Sequence, residues 1–209
     1  MNLHFTDASS LAIIDSQLAE RHLTPAEHEI IRQIIYKTGD FGYASLVQFT
    51  KDVLIEGASA LNDKTSIVVD VPEIQVSIVP QLQKTFGNLV YCCQTTATQA
   101  QQGKTKSAWG LEILAKTHKN SVYIIGQERT ALTILAELSQ KKAIQPALII
   151  LTAPIFKEQK LKQWLKNSAI PSIYIKNNKG NAIVASAIFN TLINLGWRVA
   201  SLDANSIKK

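Results

Sequence analysis

Five short apolar runs rich in β-branched residues follow one another beyond Asn62: Ser66 to Val69, Leu89 to Cys93, Val122 to Ile125, Ala147 to Leu151, and Ser172 to Ile175. Each is continuous in hydrophobicity rather than alternating, as in strands of a parallel sheet covered on both faces. Segments with helical periodicity separate them, at roughly Val76–Lys84, Lys106–Lys116, Thr130–Lys141, Glu158–Lys166 and Ala182–Leu195. This alternation restricts the chain to an α/β fold, here an open, doubly wound, mainly parallel sheet with helices on both faces. Ligands of such sheets sit beyond the carboxyl ends of the strands. The loops after Val69, Cys93, Ile125, Leu151 and Ile175 are therefore where chemistry is expected.

The part before Asn62 reads as helix. Ser9-Ser10 precede Leu11, Ile13, Ile14 and Leu18, a capping signal followed by an apolar stripe. Thr24-Pro25-Ala26-Glu27 is a cleaner start, with a capping threonine, proline in the first helical position and an acid in the first turn. Ile30, Ile31, Ile34 and Ile35 carry that helix to about Lys37, and Thr38-Gly39-Asp40-Phe41-Gly42 ends it. A further helix is expected from about Leu46 to Leu61. No linker divides the chain, which reads as one domain over 1–209, mainly helical over 1–62 and built of βαβ units over 63–195.

The 209 residues suffice for a core without staples. No apolar run approaches the roughly 20 residues of a membrane span, and the first seven residues lack the basic-then-apolar order of a secretory leader. Lys and Arg exceed Asp and Glu by 22 to 16, a net charge of +6. Such a surplus suits a polyanionic partner. The basic residues are dispersed, which argues against nucleic acid and leaves a multiply carboxylated small molecule. Cys92 and Cys93 are adjacent in an apolar run, so they point to opposite faces of a strand and cannot readily pair. Their number and spacing suit neither zinc nor a disulfide framework, and a reducing cytoplasm is the simplest compartment.

Generic motifs fail on inspection. Gly103-Lys104-Thr105 lacks the glycine six residues before the lysine that a phosphate loop needs, since Thr98 stands there. Ile125-Gly126-Gln127-Glu128-Arg129-Thr130 has one glycine where a dinucleotide fingerprint has three. The four histidines are scattered, and no metal site is expected. Trp109 and Trp197 read as core residues, and Trp164 as part of a core-facing stripe with Leu161 and Leu165.

Several strings, in order, resemble the precorrin-8X methylmutase family of cobalamin biosynthesis. Ser10-Leu11-Ala12-Ile13-Ile14 is similar to the family's Ser-Phe-Ala-Ile-Ile. Ile35-Tyr36-Lys37-Thr38-Gly39-Asp40-Phe41-Gly42-Tyr43-Ala44 resembles Ile-His-x-Thr-Gly-Asp-x-x-Tyr-Ala. Asp70 ends the first predicted strand as in the family, and Thr105-Lys106-Ser107-Ala108 is similar to Thr-Arg-Ser-Ala. Gly126, Thr130-Ala131-Leu132, Leu135-Ala136-Glu137, Pro146-Ala147-Leu148-Ile149 and Lys179-Gly180 continue the resemblance to about Asn194.

The resemblance implies an isomerase without an organic cofactor. The family moves a methyl group from carbon eleven to carbon twelve of a ring-contracted tetrapyrrole, precorrin-8 or cobalt-precorrin-8, giving hydrogenobyrinic acid or its cobalt form. It further implies a homodimer, Tyr36 as the catalytic residue at the family's histidine position, and substrate contacts from Ser10, Thr38, Asp40, Asp70, Lys106, Ser107, Arg129, Thr130, Lys179 and Gly180. Departures from the family pattern concentrate in the predicted strand-end loops. Tyrosine replaces histidine at 36, lysine replaces arginine at 106, and Gln127-Glu128-Arg129 replaces Asn-Ala-Pro. Two readings follow: an active isomerase, or a catalytically impaired homologue that keeps tetrapyrrole binding. An enzyme turned to another anionic substrate stays open as a third.

Overall fold

In the computed structural model, which describes residues 5–101, 103–154, 164, 165 and 167–206, the chain begins with two helices, α1 (Phe5–Leu18) and α2 (Pro25–Thr38). The first starts ahead of Ser9-Ser10, so Ser10 is not its cap. The Ser10 hydroxyl instead donates to the Thr6 carbonyl one turn back. The second starts as its sequence dictates. Thr24 accepts from the Glu27 N–H while the Glu27 carboxylate accepts from the Thr24 N–H, a reciprocal capping box. It ends at Gly39, whose φ of 70° suits glycine and whose N–H donates to the Ile35 carbonyl. Ile30, Ile31, Ile34 and Ile35 are essentially inaccessible, each such burial contributing about 1.5–3 kcal/mol.

The single helix expected over Leu46–Leu61 is instead three elements. A short turn of helix, α3 (Tyr43–Leu46), leads into a strand, β1 (Val47–Phe49), and only then does α4 (Val53–Asn62) begin. Two local facts decide this. Asp52 takes a left-handed backbone with φ of 58°, which breaks any continuous helix. Val47, Gln48 and Phe49 pair antiparallel with Ile175, Tyr174 and Ile173, so long-range pairing overrides the local periodicity.

From there strands and helices alternate as expected: β2 (Ile67–Val69), α5 (Pro72–Gln83), β3 (Val90–Cys92), α6 (Cys93–Thr96), α7 (Lys106–Leu114), β4 (Val122–Ile125), α8 (Arg129–Gln140), β5 (Leu148–Leu151), β6 (Ser172–Ile175) and α9 (Ala182–Ser206). Pro72 at the start of α5 moves that helix four residues earlier than its apolar pattern suggests. The helix expected over Glu158–Lys166 lies largely outside the described residues. The sheet order is β1-β6-β5-β4-β2-β3, parallel throughout except for β1.

Both faces of the sheet are covered, and the strands divide their side chains between two cores. Ile67, Val69, Val122, Ile124, Leu148 and Ile150 face α2, α4, α5 and α9. Val68, Tyr123, Ile125, Ile149 and Leu151 face α7 and α8. Period-two alternation between two apolar layers is why these runs read as continuous. Cys92 and Cys93 belong one to each layer, buried and unpaired. Trp164 packs against the second layer, but Trp197 is 41% exposed and meets Phe86 edge-on, so it is not the core residue expected. The long α9 contains one stretch, Ala182–Leu202, long and apolar enough to cross a membrane by length and composition, and 61% of its apolar window is buried inside the protein.

Candidate active site

The chain leaves β2, runs outward to β3, then returns to β4 on the other side of β2. The carboxyl ends of β2 and β4 therefore form the switch point at which doubly wound sheets open a ligand crevice. Here the protein fills that crevice itself. Asp70, immediately after β2, is inaccessible to solvent. Its Oδ1 accepts from the Gly126 N–H at 3.0 Å, and its Oδ2 accepts from the N–H groups of Gln127 and Glu128 at 2.8 and 2.7 Å. Successive N–H groups ahead of a helix make an anion nest, and the Asp70 carboxylate occupies it. Burial pushes the Asp70 carboxyl above its usual range, against the three N–H bonds that pull it down.

Asp70, expected as a direct substrate contact, is thus buried with both carboxylate oxygens engaged by the chain. Ser107 is buried too, its hydroxyl donating to the Asp70 carbonyl at 3.1 Å. Gly180 is buried where any Cβ would overlap the Thr152 carbonyl oxygen. All three are buried at strand-end loops. The remaining candidates separate into two groups. Lys106, Arg129 and Thr130 are exposed at the starts of α7 and α8, where the Thr130 and Thr105 hydroxyls lie 2.7 Å apart. Asp40 and Lys179 pair at 2.8 Å beyond the end of β6. The Lys179 ammonium and the Gly42 N–H hold the Asp40 carboxyl below its usual range, and Asp40 raises Lys179 in return. Thr38 donates to the Ile34 carbonyl and accepts from the Asp40 N–H, closing the same turn.

Tyr36 stands apart from both groups, on a cleft of about 880 Å³. Its walls are α1, α5, α9 and one flank of α2, and Gln127 and Asn181 reach it from the loops after β4 and β6. On α2, Glu29, Gln33 and Tyr36 recur at helical spacing and face the cleft while the isoleucines face the core. On α9, Ser186, Asn190, Asn194 and Arg198 recur every fourth residue along the opposite wall. That polar stripe in an otherwise apolar helix is the sequence signal that marks the cleft.

The cleft is lined by three acids, Asp7, Glu29 and Glu73, and two bases, Lys37 and Arg198. The overall basic surplus is therefore not concentrated there. Glu29 is partly spent on Arg32 and Gln33. The Tyr36 hydroxyl donates to Asp7 Oδ1 at 2.7 Å. That hydrogen bond, followed by partial burial and the Asp7 charge, pushes the phenol above its ordinary value of 10.0. Asn190 donates to the Ser77 carbonyl and hydroxyl while its own buried Oδ1 has no partner within the protein. Among the described residues, no cluster of His, Cys, Asp and Glu has the arrangement of a metal centre. The site can therefore hold a large ligand by amides and hydroxyls, and it carries one phenol–carboxylate pair for proton handling.

Known proteins share this architecture and part of this sequence. A solved structure described as precorrin-8X methyl mutase from Thermus thermophilus superposes with a TM-score of 0.81, covering 92% of this chain and 98% of that one at 24% identity. The cobalt-precorrin-8 methylmutase of Synechocystis sp. is 29% identical, over 90% of this chain and 94% of its own length. That of Leptospira interrogans is also 29% identical, over 89% and 90%. The profile of the precorrin-8X methylmutase family matches residues 6–195, and with the doubly wound sheet and the strand-end site in place, the chain belongs to that family of isomerases.

Proposed function

We propose that this chain is an active precorrin-8X methylmutase that moves a methyl group within precorrin-8 or its cobalt form, and that the cleft beside Tyr36 is where it does so. The observation that carries this reading is the placement of Tyr36. The residue at the family's histidine position opens onto a cleft of about 880 Å³ between helices, which the loops after β4 and β6 reach through Gln127 and Asn181. The rearrangement conserves composition: one carbon–methyl bond breaks at carbon eleven, another forms at carbon twelve, and any proton taken up is returned. Such a reaction asks for a fixed macrocycle and local proton handling. The amide and hydroxyl walls supply the first, and Tyr36 the second.

Ser10, Thr38, Asp40, Lys106, Arg129, Thr130 and Lys179 form the outer set that contacts the substrate; its lysines, arginine and hydroxyls meet the acetate and propionate groups, and Asp40 holds Lys179 in place. Asp70, Ser107 and Gly180 support them from beneath. The chain works as a homodimer in the cytoplasm, binding neither nucleic acid nor membrane. Its two unpaired, buried cysteines support a reducing compartment. Sedimentation at micromolar concentration tests the dimer. Incubating the pure protein with precorrin-8 and following the visible spectrum tests the reaction, because the product has a different conjugated system. Tight binding of hydrogenobyrinic acid without any spectral conversion of precorrin-8 overturns the reading.

A further inference from the structure

Asp7 matches none of the motifs by which the site was sought, and it faces the cleft from the first turn of α1 beside Tyr36 on α2. A phenol has one proton. In this structure that proton is committed to Asp7 Oδ1 at 2.7 Å, so the Tyr36 oxygen turns lone pairs, not its hydrogen, toward a ligand. The polarity at this position is therefore that of an acceptor. Lys37 lies 5.7 Å from the Tyr36 ring centroid, over the ring rather than in line with the hydroxyl.

We propose that Asp7 is the proton-holding residue of the site and that Tyr36 relays protons between Asp7 and the bound ligand. This rests on the cleft being the site of isomerisation. A proton leaving a ligand atom bonds to Tyr36 Oη as the phenol's own proton passes to Asp7 Oδ1. The Tyr36–hydrogen bond that breaks is replaced by the one that forms, so the phenol stays neutral throughout. When the product needs the proton, the two transfers reverse. No oxidant, metal or second substrate enters the balance. A phenol acting alone would have to become a phenolate beside a carboxylate, which the elevated acidity threshold of Tyr36 opposes. The relay avoids that species.

The test compares wild type with Asp7→Asn, Asp7→Glu, Tyr36→Phe and the double variant Asp7→Asn/Tyr36→Phe, using precorrin-8 turnover and ultraviolet titration of tyrosinate. Asparagine still accepts the Tyr36 hydrogen bond but cannot take its proton. D7N is expected to lose about 100-fold in kcat with KM little changed, and D7E to recover part of the loss. The double variant should be no worse than either single one, as for groups acting as a unit. With Y36F as the blank, the Tyr36 transition should move down in D7N, where the hydrogen bond stays and the Asp7 charge that raises the phenol is gone. Unchanged kcat in D7N, or an unmoved Tyr36 transition, overturns the relay while leaving the isomerase reading intact. A wild-type chain without turnover defeats the isomerase reading, and the relay with it.

Discussion

The Asp70 carboxylate and the Gly126 N–H, 3.0 Å apart on neighbouring strand ends, close the crevice that a doubly wound sheet leaves at its switch point. Gln127 and Glu128 complete the nest around the same carboxylate. A charge supplied by the chain thus occupies a position where related topologies place the anionic group of a ligand. Gln127, held by Asp70, is part of the wall of the cleft between α2 and α9. Replacing Asp70 by alanine leaves three N–H groups without their partner. Only the Gly126 N–H is buried, so at about 1–3 kcal/mol for an unsatisfied buried donor, D70A should lose at least about 1 kcal/mol of stability. A urea midpoint within error of wild type would contradict this.

Gly180 and Gly110 make the same kind of demand from the backbone side. A Cβ at Gly180 would overlap the Thr152 carbonyl, and one at Gly110 would overlap the Cys93 carbonyl. Neither neighbour is a flexible side-chain tip. Gly180→Ala and Gly110→Ala should each cost about 1–3 kcal/mol, seen as lowered thermal midpoints. G180A should also weaken ligand binding, because the Asn181 side chain accepts from the Val184 N–H at the start of α9 and Asn181 lines the cleft.

The pair formed by Asp40 and Lys179 sets an acid limit. Asp40 titrates below its ordinary 3.8 because of the Lys179 hydrogen bond first and the Gly42 N–H second. A carboxyl lowered in the folded state stabilises that state above the unfolded value and loses the contribution as pH falls through the folded one. The effect is therefore confined to pH below about 3.8. Lys179→Met should move the Asp40 carboxyl transition upward in a carbon-13 titration and flatten the acid limb of stability. An Asp40 transition unchanged by K179M would show that the pair is not formed in solution.

Tyr36 offers a direct comparison with the family's imidazole. Tyr36→Phe removes the only proton-bearing atom of this side chain and should lower turnover about 100-fold. Tyr36→His should keep or raise it, because imidazole exchanges protons near neutral pH. Equal rates for wild type, Y36F and Y36H would place proton transfer elsewhere in the protein.

Lys106 and Arg129 test the outer set. Lys106→Ala and Arg129→Ala should each weaken binding of a carboxylated corrin several-fold, and more strongly at low ionic strength. Affinity unchanged by both variants and independent of salt would assign these residues to solvated helix starts.

The sheet was legible because its strands are buried on both faces and announce themselves as unbroken apolar runs. Residues 47–49 were not, because their partner strand lies far along the chain and Leu46 to Leu61 carries enough apolar periodicity to look helical. Tyr36, Asp40 and Lys179 could be singled out from short strings. Asp70 was found by its position after a strand, yet its role depends on three N–H groups more than fifty residues away. Asp7 was invisible for a simpler reason. It gains meaning only when α1 packs on α2 and brings it to Tyr36, 29 residues on, and no local pattern encodes that meeting.

The antiparallel edge has a consequence for synthesis. Val47 pairs with Ile175, partners separated by about 130 residues, which at about 5–20 residues per second takes the ribosome roughly 6–26 s to traverse. The early helix α2 also packs on α9, about 140 residues later in the chain. Tyr36 and the wall opposite it are thus completed only after α9 has been made. Until then the isoleucine stripe of α2 stays uncovered.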